Sequence, residues 1–322
     1  MTVSRVINDS GYISDETRAR VEAAIKELGY IPNALARSLR FKQTRTIALI
    51  VTDITNPFFT TIARGVEDQA SAEGFSVIFC NTDESPEEET QYVNVLLQKQ
   101  VDGLLLVPTG GALEIVTFLN NHAVPFVLLD RTVPGTEADV VRSDSKQATY
   151  EGIQHLLDLG HTRIAALCGS EDITSSLDRG KGYQWAMQDA GLAEEATRRT
   201  YFTSFTVKGG YEAAQMALAE TPRPTAIFAT NNFIAIGAMR ALREISLRVP
   251  EDISLICFDD LPDATLLDPF LTVIEQQAYD MGRQATALLL DRLNDKAPDE
   301  AQEIILPTKL IIRRSSAPPP TA

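Results

Sequence analysis

The sequence predicts an α/β protein made of two doubly wound parallel-sheet lobes, preceded by a small all-α segment. Three observations carry that prediction. Short apolar runs recur along residues 47–259: IALIV, FSVIFC, GLLLV, PFVLLD, RIAALC, AIFAT and ISLICFD. They read as strands buried on both faces. Amphipathic stretches at helical spacing separate them, as in repeated βαβ units. There are too many strands for one ordinary sheet of this kind, so two sheets are expected.

Taken in order, the chain opens with Thr2, Ser4, Arg5 and Asn8 among Val3, Val6 and Ile7, a spacing that suits one helix. Ser14 is placed to cap a second helix running to Leu28. Asp15 and Glu16 suit its positive end, Val21, Ile25 and Leu28 make one apolar stripe, and Gly29 is a fitting stop. Pro32 breaks the run and Asn33 can cap a new turn. A helix over 34–39 would be short and weak alone, because helices below roughly 12 residues are marginal in water. From Thr46 the α/β pattern begins, with helical stretches at 60–73, 87–99, 146–159, 180–190, 208–220 and 234–244. EIILPTKLIIRRSS reads as two strands around Pro307, and APPPTA as a disordered end.

Charge divides the chain. The net charge is −15, yet residues 1–45 carry eight Lys/Arg against five Asp/Glu. The other 277 residues carry 21 against 39. An acidic body is repelled by phosphates, so any nucleic-acid binding falls to the first 45 residues. A basic, solvated helix pair accounts for the same charges. Cys80, Cys168 and Cys257 lie far apart, with no CxxC and no neighbouring histidine. They read as buried free thiols in a reducing compartment, with no metal site and no cofactor. No apolar run approaches the roughly 20 residues that span a bilayer, and no apolar signal core opens the chain, so a cytoplasmic protein is expected.

Ligands in open α/β sheets bind at the carboxyl ends of strands. Polar residues stand there in both halves: Asp53, Asn81, Asp83, Asp130, Arg131, Asn231, Asn232, Asp259 and Asp260. Any single one reads as a helix cap or turn residue; the set points to one cleft between two sheets. Catalysis finds little support. The three histidines, His122, His155 and His161, accompany no GxSxG, and no GxGxxG follows the first strand. Asp130 and Asp259 could do acid–base work, but carboxylates gripping sugar hydroxyls need no nucleophile or metal. No enzyme is expected.

The motifs, in order, resemble the LacI/GalR family of bacterial transcription regulators. TVSRVIN (2–8) resembles its recognition helix, and ETRARVEAAIKELGYIPNALARSL (16–39) its third helix and hinge helix. TRTIALIVTDITNPFF (44–59) resembles the entry to its ligand loop. VDGLLLVP, VPFVLLDR, HLLDLGHTRIA, DRGKGY, PTAIFATNNFIAIGAM, VPEDISLICFDD and LTVIEQ complete the series.

The resemblance implies an effector-responsive, sequence-specific DNA-binding regulator, a repressor of carbohydrate-use genes, that binds operator DNA as a homodimer. It implies a partial helix-turn-helix headpiece at 1–31, a hinge helix and linker at 32–45, and a periplasmic-binding-protein-like core at 46–316. Lobe 1 would take about 46–143 and 275–303, lobe 2 about 144–274 and 304–316, with a disordered tail at 317–322. The chain would cross between lobes near 143–145, 271–274 and 304–310. No heptad tail follows Ser315, which points to a dimer rather than a tetramer. Thr2, Ser4, Arg5 and Asn8 would contact bases and phosphates, with Arg5 best placed for a base edge. Leu39 would be a minor-groove wedge, with Asn33, Ala36 and Arg40 along that groove. The hinge helix would fold on the operator and melt when the effector repositions the lobes. A sugar or sugar-acid effector would meet Asp53, Asp130, Arg179, Asn231, Asp259 and Gln276, with Phe58 and Phe205 against its apolar face.

The sequence departs from the family pattern at several points. Asn231-Asn232 stands where Asn-Asp or Gly-Asp is usual, Cys257 where glycine precedes the FDD, and Gln277 where proline is common. One carboxylate fewer, with Arg131 and Arg179 nearby, would favour an acidic sugar. The family's first helix, its turn and the first residues of the recognition helix have no counterpart here. DNA binding by the chain as it stands is therefore expected to be weak, and a start at an internal methionine of a longer reading frame would account for it. The other class that suits this fold is a sugar-binding module without DNA binding; the NALARSL hinge argues against it.

Overall fold

The computed structural model describes residues 2–7, 12–29, 43–261 and 269–320. The chain forms two compact units, Met1–Arg45 and Thr46–Ala322.

In the first unit, α1 (Thr2–Ile7) and α2 (Asp15–Leu28) follow the expected pattern. The Ser14 hydroxyl accepts from the Thr17 N–H at 3.4 Å. Gly29 ends α2 at φ 58, and its N–H reaches the carbonyls of Ile25 and Lys26; glycine takes that left-handed turn at little cost. Val6 is buried, but no residue of α2 is. Val3 and Leu28 are exposed, and with Val21 and Ile25 they line an open apolar groove.

The second unit holds two six-stranded sheets. The first runs β2-β1-β3-β4-β5-β11, from β1 (Thr46–Val51), β2 (Ser76–Asn81), β3 (Gly103–Leu106), β4 (Phe126–Leu129), β5 (Asp139–Ser143) and β11 (Glu303–Leu306). All its pairings are parallel. The second runs β7-β6-β8-β9-β10-β12, from β6 (Ile164–Cys168), β7 (Thr200–Phe202), β8 (Ala226–Ala229), β9 (Ser254–Phe258), β10 (Thr272–Gln276) and β12 (Thr308–Ile311). It is parallel except for β12, which returns antiparallel beside β10. The first five strands of each lobe thus repeat one order, and the turn from one strand neighbour to the other opens a crevice at the strand ends.

Helices cover both faces of both sheets. In β1, Ile47, Leu49 and Val51 face α3 (Pro57–Ala72) and α11 (Ala278–Leu293), and Ala48 and Ile50 face α4 (Pro86–Gln98) and α5 (Leu113–Asn121). In the second lobe α6 (Ser145–Asp158) and α7 (Thr174–Asp189) cover one face, with the short α8 (Ala193–Arg198) beside α7. There α9 (Val207–Leu218) and α10 (Asn232–Glu244) cover the other. Burial on both faces explains why β1, β3, β4, β6, β8 and β9 read as unbroken apolar runs; β2, read the same way from FSVIFC, is instead an edge strand with Ile78 exposed.

Three connections join the lobes, at Asp144, Gln277 and Pro307. The second comes later than the sequence suggests. Strand β10 stays in the second sheet through Gln276, held by β9 on one side and by β12 on the other, where Gln276 pairs with Thr308. Residues Ile304 to Leu306 remain in the first sheet, paired with β5. The start of the tail is also tied down. The Ala317 N–H donates to Ser254 Oγ at 3.0 Å, and the buried His161 donates through Nε2 to the Ala317 carbonyl at 2.8 Å. A proline-rich composition reads as loose, but two buried polar side chains here take their partners from its backbone.

Among the described residues, no helix is long and apolar enough to cross a membrane, and no group of His, Cys, Asp and Glu could hold a metal ion. The three cysteines are buried and free.

Candidate functional site

A cavity of about 310 Å³ lies at the strand ends between the two sheets. That is the small end of the range for ligand pockets. Asp53, Phe58, Asp130, Arg179, Phe205, Asn231 and Asp259 all line it. Gln276 does not; it donates through Nε2 to Asp259 Oδ1 at 2.7 Å and so fixes that carboxylate.

Asp130 follows β4 and Asp259 follows β9, each in the left-handed region, at φ 63 and 69. For a non-glycine residue that backbone costs roughly 1–2 kcal/mol, and here it turns each carboxylate into the cleft. Arg179 on α7 stands between them. Its Nη2 is 3.9 Å from Asp130 Oδ1 and its Nη1 3.7 Å from Asp259 Oδ2. Nη1 also donates to the Thr230 carbonyl at 2.7 Å, and the guanidinium lies 3.8 Å above the Phe258 ring. One buried cation thus balances two carboxylates, one from each lobe. Burial pushes the Asp259 carboxyl up to about 6, against the pull of Arg179 and the Gln276 hydrogen bond and with a push from Asp130. Asp130 Oδ1, Arg179 Nε and Arg131 Nε are buried without a hydrogen-bond partner. Buried polar atoms are ordinarily satisfied, so these three are ready for the hydroxyl groups of a ligand.

The remaining side chains set the walls. Phe58 and Phe59 meet edge to face at 5.1 Å. The Asp53 carboxylate accepts from the N–H and hydroxyl of Thr55, an ordinary turn bond made by a residue that also faces the cavity. Asn231 caps α10, accepting from Ile234 N–H at 2.8 Å. Of the other strand-end candidates, Asn81 donates to Asp83 at 2.6 Å, and Asp260 pairs with Arg313 outside the cavity lining.

The lobes touch around the cavity. Thr132 N–H donates to Thr174 Oγ1 at 3.1 Å, and that hydroxyl donates back to the Thr132 carbonyl at 3.0 Å. Asn232 donates through Nδ2 to Asn56 Oδ1 at 3.0 Å. An aspartate at 232 would set acceptor against acceptor there, which gives the amide a physical reason. At Gly110 even a Cβ would collide with the Asp172 carboxylate of the other lobe.

Sequence reasoning missed Glu84. It follows the left-handed Asp83, is itself left-handed at φ 58, and grips Arg131 with both oxygens, at 2.6 and 2.8 Å. Within DESPEEE its acidity reads as belonging to the first turn of α4, and no local signal ties it to a residue 47 positions away. The two observations that favoured an acidic sugar change accordingly. Arg131 is already neutralised, and residue 232 is not part of the cavity lining. Glu89 was missed too. Burial pushes its carboxyl up to about 7 although it accepts the Thr109 N–H at 2.8 Å.

Arg5 is exposed on α1, where Thr2 and Ser4 also lie. Asn8, Asn33, Ala36, Leu39 and Arg40 lie outside the described residues.

Residues 1–33 match the model of bacterial regulatory proteins of the lacI family, and residues 153–316 match a periplasmic binding protein-like domain. The ribose operon repressor of Escherichia coli K12 is 37% identical over 98% of this chain and 95% of its own length. A lac repressor dimer bound to operator and an anti-inducer superposes with a TM-score of 0.85, at 28% identity over 98% of this chain and 94% of that one. A LacI family transcriptional regulator from Enterococcus faecium with bound ribose gives a TM-score of 0.74 and 32% identity, covering 85% of this chain and 99% of that one.

Proposed function

Because the chain belongs to the lacI family of bacterial regulatory proteins, we propose that it is an effector-responsive repressor of carbohydrate-use genes. In this reading it binds operator DNA as a homodimer and takes a sugar of monosaccharide size between its lobes. One observation carries the effector half: Arg179 joins carboxylates from both lobes inside a cavity of about 310 Å³. Carboxylates and guanidinium N–H groups accept from and donate to ring hydroxyls, and Phe58 and Phe205 offer flat apolar faces. The ribose bound to one relative and the ribose operon named for another support a small neutral sugar.

A ligand that bridges both lobes favours the closed arrangement, and its affinity difference between open and closed lobes is the free energy available to act on the headpiece. The DNA half rests on the match at residues 1–33, on the basic excess of residues 1–45, and on Arg5 exposed on α1. It assigns Thr2, Ser4, Arg5 and Asn8 to the major groove, and Asn33, Ala36, Leu39 and Arg40 to the minor groove. The same match favours a regulator over a sugar-binding module with no DNA partner.

Two measurements test the reading. Calorimetric titration of the full chain with aldopentoses and aldohexoses should show one tight ligand; binding of none would end the effector assignment. A gel shift against a selected pseudopalindromic operator should weaken steeply as salt rises and respond to that ligand. A salt-dependent shift that the ligand leaves unchanged would remove the regulatory reading.

A further inference from the structure

We propose that Glu84 sets the chemical class of the effector: by closing a two-toothed ion pair on Arg131, it makes the cleft a site for uncharged polyhydroxylated ligands and bars anionic ones. The inference rests on the cleft being the effector site.

The argument begins with what each guanidinium has left to offer. Arg131 is buried, with 4% of its side chain exposed. Its Nη1 donates to Glu84 Oε2 at 2.8 Å and to the Pro108 carbonyl at 2.9 Å, and its Nη2 donates to Glu84 Oε1 at 2.6 Å. That is the parallel-fork geometry by which arginine recognises a carboxylate, and Glu84 occupies the edge that a ligand carboxylate or phosphate would use. Arg131 Nε is buried and without a hydrogen-bond partner, and the nearest carboxylate oxygen on that side, Asp130 Oδ2, lies 3.6 Å away. The Phe205 ring stands 5.7 Å from the same guanidinium.

The charge of Arg179 is likewise answered from within the protein. Asp130 and Asp259 already flank it, Thr230 takes one N–H, and Phe258 covers a face. Among the described residues of the wall, five carboxyl groups accompany two guanidinium groups. A ligand carboxylate would enter as a further negative group, and both cations already have carboxylates beside them. A hydroxyl needs only one donor or one acceptor, which the two arginine Nε–H groups and Asp130 Oδ1 supply.

Glu84 is held ready for this task. It sits in the loop after β2, in the second of two consecutive left-handed non-glycine residues, directly before the Ser85 cap of α4. Its side chain is about one-third exposed, so the pair borders solvent and can be altered without opening the core.

The test is calorimetric titration of the full chain, wild type and Glu84→Gln, with neutral sugars and charged counterparts: ribose against ribose 5-phosphate, and glucose against glucuronate. The wild type should bind a neutral sugar at least about 100-fold more tightly than its charged counterpart. E84Q keeps the shape and one acceptor but frees Arg131's charge, and should narrow that ratio at least tenfold by gaining affinity for the anion. Glu84→Asp, which keeps the charge, should keep the wild-type ratio, and a thermal melt checks that each variant is folded. A wild type that binds the charged member as tightly, an unchanged ratio in E84Q, or an E84D that gains anion binding as E84Q does would each overturn the role of Glu84 while leaving the effector site standing. No binding of any sugar would overturn the site and this inference together.

Discussion

The end of β4 in the first lobe and the end of β9 in the second are built alike and used differently. Each is the fourth strand in the shared order, and each is followed by a left-handed aspartate whose carboxylate lies within 4 Å of Arg179. The next residue separates them. In the first lobe it is Arg131, which turns onto Glu84 and stays in the cavity wall. In the second it is Asp260, which turns onto Arg313 at 2.5 Å, outside the lining. The polarity of the two ion pairs is reversed. The topology supplies two equivalent backbone turns, and one residue at each decides whether the charge behind it shapes the ligand site or fastens the lobe's edge.

Removing what the two turns share should have the largest effect. Arg179→Ala leaves Asp130 and Asp259 facing one another in a buried site. Breaking a buried charge network costs about 3 kcal/mol or more, so effector affinity should fall a hundredfold or more and urea unfolding should shift by a similar energy. If affinity survives while stability falls, Arg179 is an internal strut and the site lies elsewhere.

The next test separates the turns by pH. Burial raises the Asp259 carboxyl to about 6, the first lobe's Asp130 adding to the rise. An acid whose folded pKa is raised gives stability that is fully present below its unfolded pKa, near 4, and lost as pH rises through about 6. Asp259 therefore favours the folded chain on acidification while losing its negative charge. If a sugar hydroxyl donates to the ionised carboxylate, affinity should fall up to about tenfold per pH unit below 6. Asp259→Asn should bind more weakly at pH 7.5 and show a flatter profile from 7.5 to 5. An equally steep profile in that variant would assign the titration to another group.

How much of this the sequence discloses depends on distance along the chain. The doubly buried strands β1, β3, β4, β6, β8 and β9 are legible as apolar runs, and α2 is legible because its caps lie within it. Strand β5 is not, because DVVRS is broken by charges. Asp139 is answered by Arg292 at 2.7 Å and Arg142 by Glu303 at 2.6 Å, partners more than 150 residues away. The cleft candidates at strand ends are legible for the same local reason as the strands. Glu84 is not, since its partner lies beyond the reach of local pattern. Asn231 shows that the bland and the functional reading of one residue can both hold, for it caps α10 and lines the cavity.

The smallest expected effect tests the outer turn. Arg313 donates to both oxygens of Asp260 and to the Leu271 carbonyl at 3.1 Å, and both side chains of the pair are about 15% exposed. Partly solvated pairs are worth less than buried ones, so Arg313→Ala should cost about 1 kcal/mol of stability in urea unfolding. It should leave sugar affinity within about twofold, because neither Asp260 nor Arg313 lines the cavity. The contrast with Glu84→Gln is then sharp: the inner pair changes which ligands bind at little cost in stability, the outer pair the reverse. Should Arg313→Ala weaken sugar binding tenfold with Asp259 still ionised, the outer pair must be positioning Asp259 through its neighbour Asp260. The two turns would then be one mechanism, and the division of labour between them would fail.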